Sequence, residues 1–183
     1  MNSFDARVRY TRMVIEESFL ELLQQKSAAK ITVTELCQKA EINRATFYKH
    51  YLDIPDLLEK LEEELFQQVR FVFESRPAPL QNFLLNMLRY ICRDGNRYMI
   101  LGSDNGDPNL MTKTFSLCYE LAYPILEQNL PQMEDRKRQM LYHFLSHGCG
   151  GILTCWIRDG MKDTPEEITA FLLELCGRAI NFD

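Results

Sequence analysis

The chain lacks any run of the roughly 18 uninterrupted apolar residues that a membrane span needs. No apolar run follows the basic residues of MNSFDARVRYTR, so the start does not read as a secretory signal. No membrane partner is expected, and the expected location is the cytoplasm. No two of the six cysteines have CxxC spacing, and in a reducing compartment they are expected as free thiols. Histidine is scarce, at three residues. His143 and His147 stand one helical turn apart, a spacing that can hold a metal on one face. HExxH needs a Glu after the first His, and Phe144 stands there instead. Hydrogen-bonding histidines on a helix are the plainer reading, so no metal and no cofactor is expected. A Gly-rich phosphate loop, a nucleophile elbow and a paired-carboxylate motif are all missing, which leaves no case for an enzyme. An overall excess of basic charge is missing too, the net charge being -5.

What is present is apolar residue at helical spacing. The chain has 183 residues, 46% of them hydrophobic, enough for a sizeable core without disulfides or metal. Before residue 53 there are eight basic and six acidic residues, a balance of +2; the remainder carries −7. The two ends differ in sign, as expected if one of them meets phosphate. Arg7, Arg9 and Arg12 could form a basic arm along a DNA groove or a solvated terminus. Val14, Ser18, Phe19, Leu22 and Leu23 predict a helix over 11–25.

The densest signal is ITVTELCQKAEINRATFYKHY, 31–51. Thr32 and Glu35 have capping-box spacing, and Leu36, Cys37 and Ala40 give the first helix an apolar face. Glu41-Ile42-Asn43 breaks it, and Asn43 is a strong cap for a second helix over 44–51. That helix is too short to stand alone, and Phe47 anchors it. Its other faces carry Arg44, Thr46, Tyr48, Lys49 and His50, donors suited to phosphates and base edges.

The segment resembles the DNA-binding domain of TetR-family transcriptional regulators. Thr32, Leu36, Cys37, Ala40, Ile42, Thr46, Phe47, Tyr48, His50 and Tyr51 meet the family pattern in one register. Two positions depart from it: Glu41 stands where the family often has Gly, and Ile54 where it often has Lys. The resemblance implies an all-α fold. A helix-turn-helix domain would occupy 1–53, a connecting helix 54–75, and a helical ligand-binding and dimerisation domain 76–183. It also implies a ligand-responsive repressor, a homodimer on an inverted repeat in double-stranded DNA, with a small-molecule effector that the sequence does not name. Arg44, Ala45 and Thr46 are expected to face bases. Thr32, Thr34, Tyr48, Lys49 and His50 are expected to contact phosphates.

Asp53 and Pro55 open the connecting helix, with Leu57, Leu58, Leu61, Leu65 and Val69 on its buried side. Glu59, Glu62, Glu63 and Glu64 read as a solvated acidic face. SRPAP, 75–79, reads as a domain boundary. Helices are predicted over 80–93, 96–100, 108–128, 134–159 and 165–180, with 94–95 as a stop and 102–109 as a turn-rich loop. The acids of that loop lack the calcium-loop spacing. Gly148, Gly150 and Gly151 interrupt a helix at about 1 kcal/mol each, so some close approach is expected there.

Phe83, Met87, Tyr90, Phe115, Tyr119 and Tyr123 read first as bundle core. Under the family resemblance they are also the candidate ligand pocket. The stretch GCGGILTCWIRDGMKDTPEEI resembles a branch that includes regulators near dihydroxyacetone-kinase operons. In the family the last two helices form a four-helix dimer interface, which implies Phe144, Ile152, Trp156, Ile168, Phe171, Leu172 and Leu175 here. The alternatives on the same fold are a protein-binding co-activator and a metal- or thiol-responsive sensor.

Overall fold

The computed structural model describes residues 3–74 and 80–180. Among them are eight α-helices and no strand: α1 Ser3–Leu23, α2 Val33–Lys39, α3 Arg44–Phe47, α4 Ile54–Glu74, α5 Leu80–Leu101, α6 Leu110–Asn129, α7 Asp135–Arg158 and α8 Pro165–Ile180. The chain divides into two compact units. One takes Met1–Leu65 and Arg97–Met111; the other takes Phe66–Asn96 and Thr112–Asp183. The boundary expected at 75–79 lies outside the described residues.

The first unit is built on apolar residues three and four apart. Ile15, Phe19, Leu22 and Leu23 of α1 are buried with Leu36 and Cys37 of α2, Phe47 of α3, and Leu57, Leu61 and Leu65 of α4. Local chemistry sets the helix ends. Thr32 Oγ1 accepts from the Glu35 N–H at 3.2 Å, and Asn43 Oδ1 accepts from the Thr46 N–H at 2.8 Å. Asp53 Oδ1 accepts from the Asp56 N–H at 2.8 Å. The Glu35 carboxylate does not complete the expected capping box; it takes the Lys26 ammonium at 2.5 Å, a charged partner in place of an amide. α2 ends in a Schellman motif. The Ile42 N–H bonds to Cys37 O at 3.0 Å and the Glu41 N–H to Gln38 O at 3.3 Å, with Glu41 left-handed at φ 52°.

Several expectations about this unit are corrected. The residues read as a basic arm belong to α1, and Arg12 turns inward to pair with Glu16 and Glu64. The acidic face of α4 is not wholly solvated, because Glu62 is buried and Glu64 faces two arginines. The 102–109 loop is structural. Asn105 Nδ2 donates to Leu23 O at 2.8 Å, and Asn105 O accepts from the Ala28 N–H at 2.7 Å. Gly106 is required for that loop, since a Cβ there would sit 2.1 Å from Leu101 O.

In the second unit Leu88, Trp156, Ile168 and Leu172 form a buried cluster flanked by Ile91, Cys149, Ile152 and Leu153. The Trp156 indole N–H is satisfied by Asp163 O at 3.0 Å. α8 starts on a full capping box: Thr164 Oγ1 accepts from the Glu167 N–H at 3.2 Å, and Glu167 Oε2 accepts from the Thr164 N–H at 2.8 Å. The stop predicted at Asp94-Gly95 is absent, and α5 is one helix. Gly95 is buried, and a Cβ there would lie 3.2 Å from Ile91 Cγ2 of the same helix and 3.4 Å from Ile157 Cδ1, the first tight and the second an ordinary contact. Of the three α7 glycines, only Gly150 serves a close approach. A Cβ there would lie 2.8 Å from Phe115 Cζ, whereas Gly148 and Gly151 face open space.

Candidate nucleic-acid interface

α3 is shorter than its expected span. Regular helix covers Arg44–Phe47, and the chain continues as tight turns to His50. The helical course survives in hydrogen bonds, the His50 and Tyr51 N–H groups both donating to Phe47 O at 2.9 and 3.0 Å. Two aromatic anchors fix the segment. Phe47 is fully buried, and Tyr51 packs on it at 5.7 Å between ring centroids. A buried Phe stabilises by about 1.5–3 kcal/mol, which offsets the weakness of so short a helix.

With Phe47 turned inward, the other side chains must point out. Arg44, Ala45, Tyr48 and Lys49 are exposed, and Thr46 and His50 are half-buried. Tyr48 is 56% exposed, its ring edge-on to Phe47. The Arg44 guanidinium donates to Thr34 Oγ1, which joins the start of α2 to the start of α3. Four further guanidinium N–H donors remain for a base edge. The Thr34 oxygen is held as an acceptor, and so is Thr32 Oγ1 by its capped amide. Both hydroxyl hydrogens are therefore free to point at a phosphate. The Thr46 hydroxyl donates to Asn43 Oδ1 at 2.9 Å and keeps its lone pairs. All eight expected DNA-contact residues thus come from one continuous stretch, 32–50.

Behind this surface lies a set of charges that the sequence reading missed. Glu16, only 9% exposed, accepts from the Tyr51 hydroxyl at 2.8 Å and from Arg97 at 3.2 Å. Arg97 also reaches Glu64 at 3.1 Å, and Arg12 pairs with both carboxylates. Tyr51 thereby ties the recognition segment to α1, α4 and the end of α5. Its phenol is pushed up, first by burial. Lys60 lies six residues into α4, its ammonium 3.1 Å from His50 O and 2.9 Å from Asp56. Burial, reinforced by the charges of Arg12 and Lys49, holds His50 below its ordinary value. No local sequence signal marks Arg97, whose partners Glu64 and Glu16 stand 33 and 81 residues away.

The candidate pocket residues separate by position. Phe115 stacks on His147 at 4.4 Å, and Tyr119 stacks on Tyr123 at 4.8 Å and meets Tyr142 edge-on at 5.0 Å. Tyr123 donates to Asp135 Oδ1 at 2.5 Å, and that bond pushes its phenol up to about 12. Met87 and Tyr90 are half-buried on α5; the side chain of Phe83 lies outside the described residues. Of the expected dimer-face residues, Trp156, Ile168 and Leu172 fill the protomer's own core with Ile152 against them, so they have little surface to offer a partner. Phe144, Phe171 and Leu175 remain exposed, at 66%, 48% and 39%, and Met140 joins them at 64%. Among the described residues no three potential ligands gather into a metal site. No described helix is long and apolar enough to cross a membrane.

Residues 79–177 match a TetR-type family profile described as the transcriptional regulator C-terminal region. Over 58 residues the chain is 40% identical to an uncharacterised HTH-type transcriptional regulator, YxbF, of Bacillus subtilis. Over 81 residues it is 32% identical to DhaS of Lactococcus lactis, the HTH-type dhaKLM operon transcriptional activator. These stretches cover 31% and 44% of this chain, but only 15% and 43% of the two relatives. A TetR transcriptional regulator from Streptococcus agalactiae superposes with a TM-score of 0.65 at 26% identity, over 96% of this chain and 99% of that one. An all-helical fold among the described residues with a helix-turn-helix at the front, and a C-terminal half that matches the family profile, lead to one conclusion: the chain belongs to the TetR family of transcriptional regulators.

Proposed function

We propose that the protein is a sequence-specific DNA-binding regulator that acts as a homodimer on an inverted repeat. The observation that carries this reading is the outward row of donors on 32–50, held by the buried Phe47 and Tyr51. In this reading 1–53 reads DNA, 54–75 connects and 76–183 regulates and dimerises. Arg44, Ala45 and Thr46 meet base edges, and Thr32, Thr34, Tyr48, Lys49 and His50 meet phosphates. Two heads reach successive major grooves when they stand one helical turn apart, about 34–36 Å.

The exposed apolar side chains Phe144, Phe171 and Leu175, with Gly148 and Gly151 facing open space, support pairing of α7 and α8 with a second copy. The aromatic ladder of Phe115, Tyr119 and Tyr123 supports a flat or apolar effector. A ligand that prefers a differently spaced dimer releases the operator, and it needs a differential affinity of a few kcal/mol to do so. Repression is the first reading of the outcome, since a dimer seated on a promoter blocks it with no further surface. Activation is the second, favoured by the activator named among the relatives.

A salt series tests the contact assignment. Binding to duplex DNA weakens with salt, and Lys49→Ala lowers the slope of log K against log salt by about 1. No salt-dependent binding at all would turn the reading toward a protein partner.

A further inference from the structure

Cys149 of α7 and Cys176 of α8 place their sulfurs 3.7 Å apart, although 27 residues separate them in the chain. Both are half-buried, and Cys149 packs against the cluster of Leu88, Trp156, Ile168 and Leu172. The pair lies outside the DNA-reading segment, and the regulator reading makes no use of it. We propose that Cys149 and Cys176 are a redox-modifiable pair, closed into a reversible intrachain disulfide by a small hydroperoxide. A disulfide needs about 2.05 Å between sulfurs, so each side chain must give by less than about 1 Å, within reach of a small χ1 adjustment.

The chemistry favours Cys176 as the attacking sulfur. The two sulfurs share one S–H···S hydrogen bond in which either can be the donor; that bond holds the Cys176 thiol below its ordinary value and Cys149 above it. The thiolate is the reactive form, so the more acidic Cys176 is the sulfur that attacks. The thiolate attacks the terminal oxygen of the hydroperoxide. The O–O bond breaks, the alcohol leaves with a proton, and Cys176 becomes a sulfenic acid. The Cys149 sulfur then attacks the Cys176 sulfur and expels hydroxide, which takes the Cys149 proton and leaves as water. Two thiols and one hydroperoxide give one disulfide, one alcohol and one water; the cysteines lose two electrons and the peroxide gains them. Cys176 adjoins Leu175, so the bond fixes the helix pair that carries the dimer face; that consequence rests on the proposed dimer, whereas the bond itself does not.

The test uses the full chain, reduced, desalted and treated with a few-fold excess of hydrogen peroxide. Alkylation under denaturing conditions and peptide mapping follow, with and without dithiothreitol. The expected result is a fall from six alkylatable thiols to four, with one cross-linked peptide pair joining Cys149 to Cys176. Reductant restores all six. Cys155→Ser keeps the cross-link, and Cys149→Ser and Cys176→Ser each lose it. Six thiols after treatment, or a cross-link through other cysteines in the unmodified chain, would overturn the proposal. The wild-type map decides the matter even if a variant does not fold. No DNA enters the assay, so its failure leaves the regulator reading untouched.

Discussion

Glu41 carries φ 52° at the position where a helix end favours glycine. A non-glycine residue in this conformation costs on the order of 1 kcal/mol. Glu41→Gly keeps both Schellman hydrogen bonds, since they use only backbone atoms, and removes that cost. The variant should be more stable by about 1 kcal/mol, a rise in Tm of about 2–4 °C for a chain of this size. Calorimetry checks it; a lower Tm would mean that the Glu41 side chain supplies something the turn needs. The contact residues are separable on the same scale. Arg44→Ala should change which operator bases are preferred, at about 1–3 kcal/mol for the position it reads. Tyr48→Phe should weaken all sequences alike. Ranking a library of operator variants with each protein distinguishes the two, and an unchanged ranking with Arg44→Ala would remove Arg44 as the base reader.

His50 links that surface to pH. Its folded value lies below the ordinary 6.5, because burial and two neighbouring cations oppose its charge. The unfolded chain therefore takes up the proton first, so stability is full above about pH 6.5 and falls as pH drops through the window beneath it. A phosphate against His50 acts in the opposite sense, so operator affinity should rise over the same window. Urea midpoints and operator titrations on one pH series should show both trends in the wild type and neither in His50→Gln. An affinity that is flat with pH would place His50 away from the phosphate.

At the scale of elements, what could be read in advance was what sequence neighbours determine. α8 begins at Pro165, as the predicted span 165–180 has it, because its Thr164–Glu167 capping box is local, and α2 and α3 lie where Thr32 and Asn43 put them. Charges whose partners are distant in sequence could not be read. Glu64 looked solvated until α1 and α5 brought Arg12 and Arg97 to it, and nothing local announces an ion pair 33 residues apart. Gly95 was misread because a glycine after Asp94 looks like a stop in the sequence, whereas the burial that keeps it inside α5 comes from distant residues such as Ile157. The donor row on 32–50 was legible because one short segment carries all of it. Which apolar residues of α7 and α8 stay exposed was legible only in part, since apolar spacing does not tell a helix's inner face from its outer one. The missed ion network makes its own prediction. Arg97→Met leaves Glu16 to Arg12 and the Tyr51 hydroxyl, and Glu64 to Arg12. The cost should be about 1–3 kcal/mol, less than for a fully buried pair because the Glu64 side chain is 39% exposed. A urea midpoint unchanged by the substitution would show that solvent already screens the cluster.

For the whole molecule, the account depends on two copies acting together. Phe171→Glu places a charge on the exposed apolar side of α8 and disturbs no core residue of the protomer. It should weaken self-association at least tenfold, about 1.4 kcal/mol, in sedimentation equilibrium. An unchanged dimer would move the interface away from α8. The most direct test of the central claim is selection of bound fragments from the source genome with purified protein at near-physiological salt. The account predicts enrichment of one short inverted repeat beside a promoter, with half-sites about one helical turn apart. Uniform weak retention of all fragments, or none, would contradict it.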